Sequence, residues 1–259
     1  MQASLTLWQK YMQKSLVHGE EIFGFLIQPI LWVVLFGVGM RGLFSEMLPE
    51  GGSDYITYML PGIIALTAID GAIGGGSTWL NERLRGIVKE YLVAPIPRLS
   101  ILLGNALAII TRSVLQALLI LVIGILMGAN LSGNPLHWLM GFLLIFGYGL
   151  GFSGVALALA SSTNSMGAYH SLIFILNLPM LFLSNALYPL FTLPGWMRVA
   201  ALINPTTYVI SGMRQSLLRA DSILGETEFL PVWLCFLVIA AFAALGMGLA
   251  LSAFRRTVK

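Results

Sequence analysis

Two charged side chains stand alone inside long apolar runs. Asp70 lies between Tyr55 and Leu80, and Arg112 between Leu99 and Met127. If these runs cross a bilayer, each charge costs about 2.5–3.5 kcal/mol near its centre and needs a partner or water. Counted from the neighbouring ends of the runs, Asp70 is ten residues from Leu80 and Arg112 thirteen from Leu99. At about 1.5 Å per residue these are depths of about 15 and about 20 Å. An arginine side chain spans that offset, so the spacing predicts an intramembrane ion pair. Asn105 and Gln116 share a helical face with Arg112 and predict a polar stripe turned away from lipid. The plainer alternative leaves Arg112 in a wet cavity and Asp70 bonded to nearby hydroxyls.

Other chemistry is poorly supplied. Residues 71–78 read GAIGGGST, close to the phosphate-binding pattern G-x-x-x-x-G-K-[ST], but Ser77 stands where the lysine must be. Those glycines are better suited to close helix packing, as are the glycines of YGLGFSG at 148–154. His18, His137 and His170 have no metal-ligand spacing, and one cysteine, Cys235, allows neither a disulfide nor a zinc site within the chain. Neither an intramembrane His-x-x-x-His pair nor a Gly-x-Ser-x-Gly elbow occurs. The chain is expected to have no catalytic site, no metal and no cofactor of its own.

The most informative stretch is NERLRGIVKEYLVAPIPR, residues 81–98. Leu84, Ile87, Val88 and Tyr91 form an apolar face at helical spacing. Glu82, Arg83, Arg85, Lys89 and Glu90 occupy the rest, and Pro95 and Pro97 end the helix. A loop that only set topology would not need the apolar face. A second amphipathic helix is expected over residues 1–20, with Leu5, Trp8, Met12 and Leu16 on one face, resting in the membrane interface.

These segments must be placed by the remainder of the chain, which is 58% hydrophobic and 10% charged over 259 residues. From Ser113 to Met197 no Asp, Glu, Lys or Arg occurs. Soluble domains carry about a quarter charged residues, so the solvent here is mostly lipid. The pattern predicts a single all-α transmembrane domain, 1–259, with six spans: Ile22–Met40, Tyr55–Leu80, Leu99–Met127, Leu136–Ala160, one starting at Met166 and weakening near Ser184, and Leu230–Phe254. The first span is not expected to be a cleaved signal, being too long and lacking a small-residue cleavage site. Residues 185–229, with Pro189, Pro194 and Pro205, are expected to form short helices at or dipping into the outer face. Nine Lys and Arg flank the spans on the side of residues 81–98, and four on the other. That asymmetry places both termini and the 81–98 helix in the cytoplasm, in a plasma or inner membrane. A net charge of +3 gives no reason to expect nucleic acid.

The chain resembles the type-two ABC exporter permeases, including the daunorubicin-resistance exporters. Pro61-Gly62, Glu82 to Pro97, Pro194-Gly195-Trp196 and NPTTYVISGMR at 204–214 carry the resemblance. It implies a homodimeric or heterodimeric permease, expected as a homodimer, with two separate ATP-binding cassette ATPases that hold ATP and Mg. It also implies that Glu82 to Leu92 forms a coupling helix docked on the ATPase. The residues assigned to coupling are Glu82, Arg83, Leu84, Arg85, Ile87, Val88 and Tyr91. The resemblance implies export of an amphipathic, drug-like or lipid-like substrate. A polysaccharide or lipid-linked glycan exporter is the alternative within the family. A secondary transporter or channel without an ATPase is the alternative outside it, and would call for several paired acidic or histidine groups at the midplane.

Overall fold

A computed structural model describes residues 2–17, 19–39, 55–93, 97–187, 189–218 and 230–257. Glu46, Glu50 and Asp54, Pro95, and residues 219–229 of the segment before the last span lie outside the described residues. The described chain is built of helices: α1 Gln2–Val17, α2 Gly19–Gly39, α3 Tyr55–Leu84, α4 Ile87–Val93, α5 Arg98–Leu126, α6 Pro135–Ser162, α7 Met166–Phe182, α8 Gly195–Ile203, α9 Pro205–Leu217 and α10 Val232–Thr257, with a 3-10 turn at Leu190–Thr192. Four of them, α3, α5, α6 and α10, are long and apolar enough to cross a membrane. The apolar stretches Ile27–Gly39 and Met166–Phe182 are shorter. At 1.5 Å per residue α7 reaches about 26 Å, just under the hydrocarbon thickness.

Helix α3 is the axis of the bundle. It packs against α5 and α6, and α10 packs along α6. Close crossings depend on glycine. A Cβ on Gly154 of α6 would overlap the backbone of Gly246 in α10, and one on Gly71 of α3 would sit 2.8 Å from the Ser113 hydroxyl of α5. Gly75 faces Ile109, and Gly76 faces Tyr169 and the backbone of Ala156. The GAIGGGST run is thus a seam for helix packing, where small residues let backbones approach.

Beyond Pro179 the chain turns back into the bundle. Asn204 organises the return. Its Oδ1 accepts from Thr206 N at 2.9 Å, capping α9, with Pro205 at the first helical position. Its Nδ2 donates to Leu183 O at 2.6 Å and Met180 O at 3.1 Å, satisfying carbonyls at the end of α7. One amide thereby closes two helix ends. Helix α9 is almost wholly buried, whereas α8 exposes Trp196, Val199 and Ile203, as a helix on the membrane surface would. Asn204→Ala is expected to cost about 1–2 kcal/mol for the lost cap alone. A drop in the melting temperature of the detergent-solubilised protein measures it. An unchanged melting temperature would show that α9 holds its place without the cap.

Candidate coupling site

The end of α3 and the short α4 form the site that the sequence singled out. Gly86, at φ +80°, breaks the helix between them, a conformation glycine adopts without a Cβ penalty. Arg85 N to Asn81 O at 3.0 Å and Gly86 N to Arg83 O at 3.1 Å close α3, and Lys89 N to Gly86 O at 3.0 Å opens α4.

Three of the predicted residues make polar contacts inside the chain. Glu82 is 3% exposed. Its carboxylate accepts from Lys10 Nζ at 3.1 Å, Tyr11 Oη at 2.8 Å and Tyr91 Oη at 3.2 Å. Lys10 also donates to Tyr91 Oη and lies over its ring. One carboxylate therefore joins α1, α3 and α4. Burial alone would lower the Lys10 pKa, but the hydrogen bonds and charge of Tyr91 and Glu82 outweigh it, and the net shift is upward. Burial pushes the Tyr91 phenol up, so it stays protonated and able to donate. Arg83 points the other way. It donates to the Ser161 and Thr163 carbonyls and to Asn164 Oδ1 at 3.1 Å, capping the C-terminus of α6 with a cation.

The predicted apolar face is divided by this arrangement. Val88 is buried in the protein's own core, Ile87 and Tyr91 are half-buried, and Leu84 is exposed. Arg85, Lys89 and Glu90 face outward. The face left for a partner is therefore Leu84, Arg85, Lys89 and Glu90, with Ile87 at its edge.

Helix α1 binds the bundle by a face turned only partly away from the expected one, with Trp8 and Met12 still packed against the core. Ser4, Leu7 and Tyr11 are buried, while Leu5 is 56% exposed. Trp8 Nε1 donates to Thr111 Oγ1 at 3.0 Å, and a Cβ on Gly104 would lie 2.7 Å from Leu7 Cβ. The anchoring residues Lys10 and Tyr11 were missed by sequence reasoning. The available signal was the 4-7-8-11 spacing of Ser4, Leu7, Trp8 and Tyr11.

The intramembrane polar residues are distributed rather than paired. Arg112 donates to the Tyr11 carbonyl at 3.0 Å, again toward α1. Asn105 is buried and its Nδ2 reaches Gly75 O at 3.5 Å. A cavity of about 10 Å³, room for about one water, lies between Tyr11, Gly75, Asn105 and Arg112. Gln116 is buried further along α5. Asp70 is partly exposed on α3, and no ion pair joins it to Arg112 among the described residues. The expected pair gives way because α1 covers α5 and takes the guanidinium.

At the opposite end of the bundle lies Arg214, counted by sequence as an outer-face charge. It is 1% exposed. Its Nε donates to Tyr58 O at 3.2 Å, a terminal nitrogen donates to Asn185 O at 2.6 Å, and the guanidinium lies 3.6 Å from the Tyr58 ring centroid. Asn185 Nδ2 in turn donates to Ser211 Oγ at 2.8 Å.

A model of the "ABC-2 type transporter" family matches residues 2–218. A candidate transport permease, ycf38, of Porphyra purpurea is 34% identical over 213 residues, covering 80% of this chain and 71% of that one. Its counterpart in Cyanophora paradoxa is 32% identical over 193 residues, 73% of this chain and 65% of that protein's length. The daunorubicin resistance ABC transporter permease protein DrrB1 of Streptomyces coeruleorubidus is 23% identical over 235 residues, 88% and 79% of the two chains. The helical membrane bundle and the match from α1 through α9 lead to one conclusion: the chain belongs to the ABC-2 type transporter family.

Proposed function

We propose that this chain is the membrane subunit of an ATP-driven exporter, working with a second permease subunit and a separate ATP-binding cassette ATPase that holds ATP and Mg. The observation that carries the proposal is α4: a short helix with charged outer residues, held rigidly at one end of the bundle by Glu82. Six spans complete the reading, with α2 and α7 added to the four long helices. Helix α1, α4 and the end of α10 at Phe254, which packs on Trp79, lie at one end, assigned to the cytoplasm by its excess of Lys and Arg. The cargo is an amphipathic molecule, in keeping with the name of the Streptomyces relative.

ATP binding on the partner would push α4. The push reaches α3 through the Gly86 corner, α1 through Lys10 and Tyr11, and the α6–α7 turn through Arg83. A shared carboxylate makes these elements move as one body, which an access change requires.

The test is Ile87→Asp, at the edge of the outward face. A buried unpaired charge in a protein contact costs several kcal/mol. The variant is expected to insert and fold normally, yet lose co-purification with the ATPase or lose drug-stimulated ATP hydrolysis. Intact assembly and intact transport together would show that α4 is not the docking helix.

A further inference from the structure

Most of what this protein turns outward within its spans is apolar, with His170 and Ser171 on α7 and Ser252 on α10 as polar exceptions. Helix α7 shows Leu172, Phe174 and Ile175, and α10 shows Leu237, Leu245 and Leu249. Helix α3 departs from that rule. It is buried throughout from Tyr55 to Ala65, but beyond that it opens a face on which Asp70, Gly74, Ser77 and Asn81 fall at steps of four, three and four, flanked by Leu66, Ile73 and Thr78. Such steps keep to one side of a helix. The strip runs from the α4 end of the bundle about 16 Å inward, half the hydrocarbon thickness, and stops at Asp70.

Asp70 has no hydrogen bond or ion pair among the described residues. A carboxylate on an open face at that depth cannot rest in lipid; it faces water or a positive charge. Among the described residues, a second copy of this chain offers few cations at that depth. Lys10, Arg85 and Lys89 cluster at the α4 end, Arg198 lies at the other, and Arg112 donates to the Tyr11 carbonyl. The charge is left for something that arrives from outside the chain.

We propose that Asp70 is the specificity-determining carboxylate of a cargo-binding strip on α3, and that the cargo it selects is a hydrophobic cation. The inference rests on the exporter reading above and adds the sign of the cargo's charge. Gly74 and Ser77 leave room for an apolar body to lie against the helix. A Cβ on Gly74 would meet no atom within 4 Å, so the space over the strip is open. The opening at the α4 end would admit cargo from the cytoplasmic side, and the buried half of α3 would close the way out.

Two ions of matching shape and opposite charge test it: tetraphenylphosphonium and tetraphenylborate. Binding of each to the purified permease in lipid nanodiscs, without ATPase or nucleotide, is measured against protein-free discs. The wild type should bind the cation above the lipid background and show no specific binding of the anion. Asp70→Asn, nearly isosteric, should weaken cation binding by about tenfold or more, while Asp70→Glu should retain it. Gly74→Leu, whose Cβ meets no atom within 4 Å and which favours the helix, should weaken it too, with no fall in melting temperature. Equal cation binding by wild type and Asp70→Asn, or specific anion binding by the wild type, would overturn the proposal. So would dissociation of a dimer by Asp70→Asn with cation binding unaltered, which would assign the charge to a second copy. Because the assay needs no ATPase, cation binding can hold even if the exporter reading fails. A working exporter with no cation preference would reject only the present inference.

Discussion

Arg214→Ala is expected to lower the yield of folded protein more than the other substitutions considered. The guanidinium is 1% exposed and supplies donors to the Tyr58 and Asn185 carbonyls while stacking on the Tyr58 ring. Removing it strands two buried acceptors, at about 1–3 kcal/mol each, and leaves a cavity beside Tyr58. A total of about 3 kcal/mol or more is a large share of a typical stability. Fluorescence-detected size exclusion of the solubilised variant should show aggregation or a sharply lower melting temperature. Arg214→Lys should recover only part, because an ammonium cannot stack or place two fixed donors as the planar fork does. A soluble, stable Arg214→Ala would mean that α9 is held by Asn204 and packing alone.

Glu82→Ala should loosen α4 from α1, leaving the Lys10–Tyr91 contact between them, and cut transport by about tenfold or more, the scale of a coupling energy of 1–3 kcal/mol. ATPase binding should survive, because Leu84, Arg85, Lys89 and Glu90 still face outward. The expected signature is hydrolysis without transport. A charge exchange, Lys10→Glu with Glu82→Lys, should restore part of the transport. The same knot has a pH dependence of definite sign. Lys10 has a pKa raised above the ordinary lysine value. A group raised on folding adds stability that is full below its unfolded pKa and lost as pH rises through the folded one. Spin labels at Gln13→Cys and Arg85→Cys, in a Cys235→Ser background, should give a narrow distance distribution at neutral pH. It should broaden only above the lysine range. Broadening between pH 6 and 8 would place the coupling elsewhere.

Much of the local structure was legible in the sequence because each cue acts within a few residues. The Asn134-Pro135 pair caps α6 at the start of the expected fourth span, with Oδ1 accepting from Leu136 N at 3.0 Å, and Ser165 caps α7. The boundaries of α5, α6 and α10 fall within three residues of the expected spans, since hydropathy and helix period report on the same segment. The GAIGGGST glycines read correctly as a packing seam, because the missing lysine at Ser77 is a local fact. The family, too, was within reach, through Glu82 to Pro97 and Asn204-Pro205.

What the tertiary structure decided is which face each helix buries and which group each charge meets. On α1 the spacing pointed to Leu5, Trp8, Met12 and Leu16; Trp8 and Met12 do pack on the bundle, but the buried seam runs along Ser4, Leu7 and Tyr11 and leaves Leu5 exposed, because Gly104 lets that face approach α5. The pairing of Asp70 with Arg112 was inferred from depth alone. Depth says how far a charge lies from the membrane surface and nothing about its angle around the helix. Arg112 turns toward α1 and the Tyr11 carbonyl, leaving Asp70 on an open strip. Glu82, assigned by sequence to the polar side of the coupling helix, becomes the buried centre of a knot, and Arg214 reads as a topological charge and becomes a core residue. In lipid, hydrophobic periodicity loses its power to orient a helix, because both the bilayer and the protein interior accept an apolar side chain. The sequence therefore marks where the helices run, and packing of small residues and polar groups settles how they are turned.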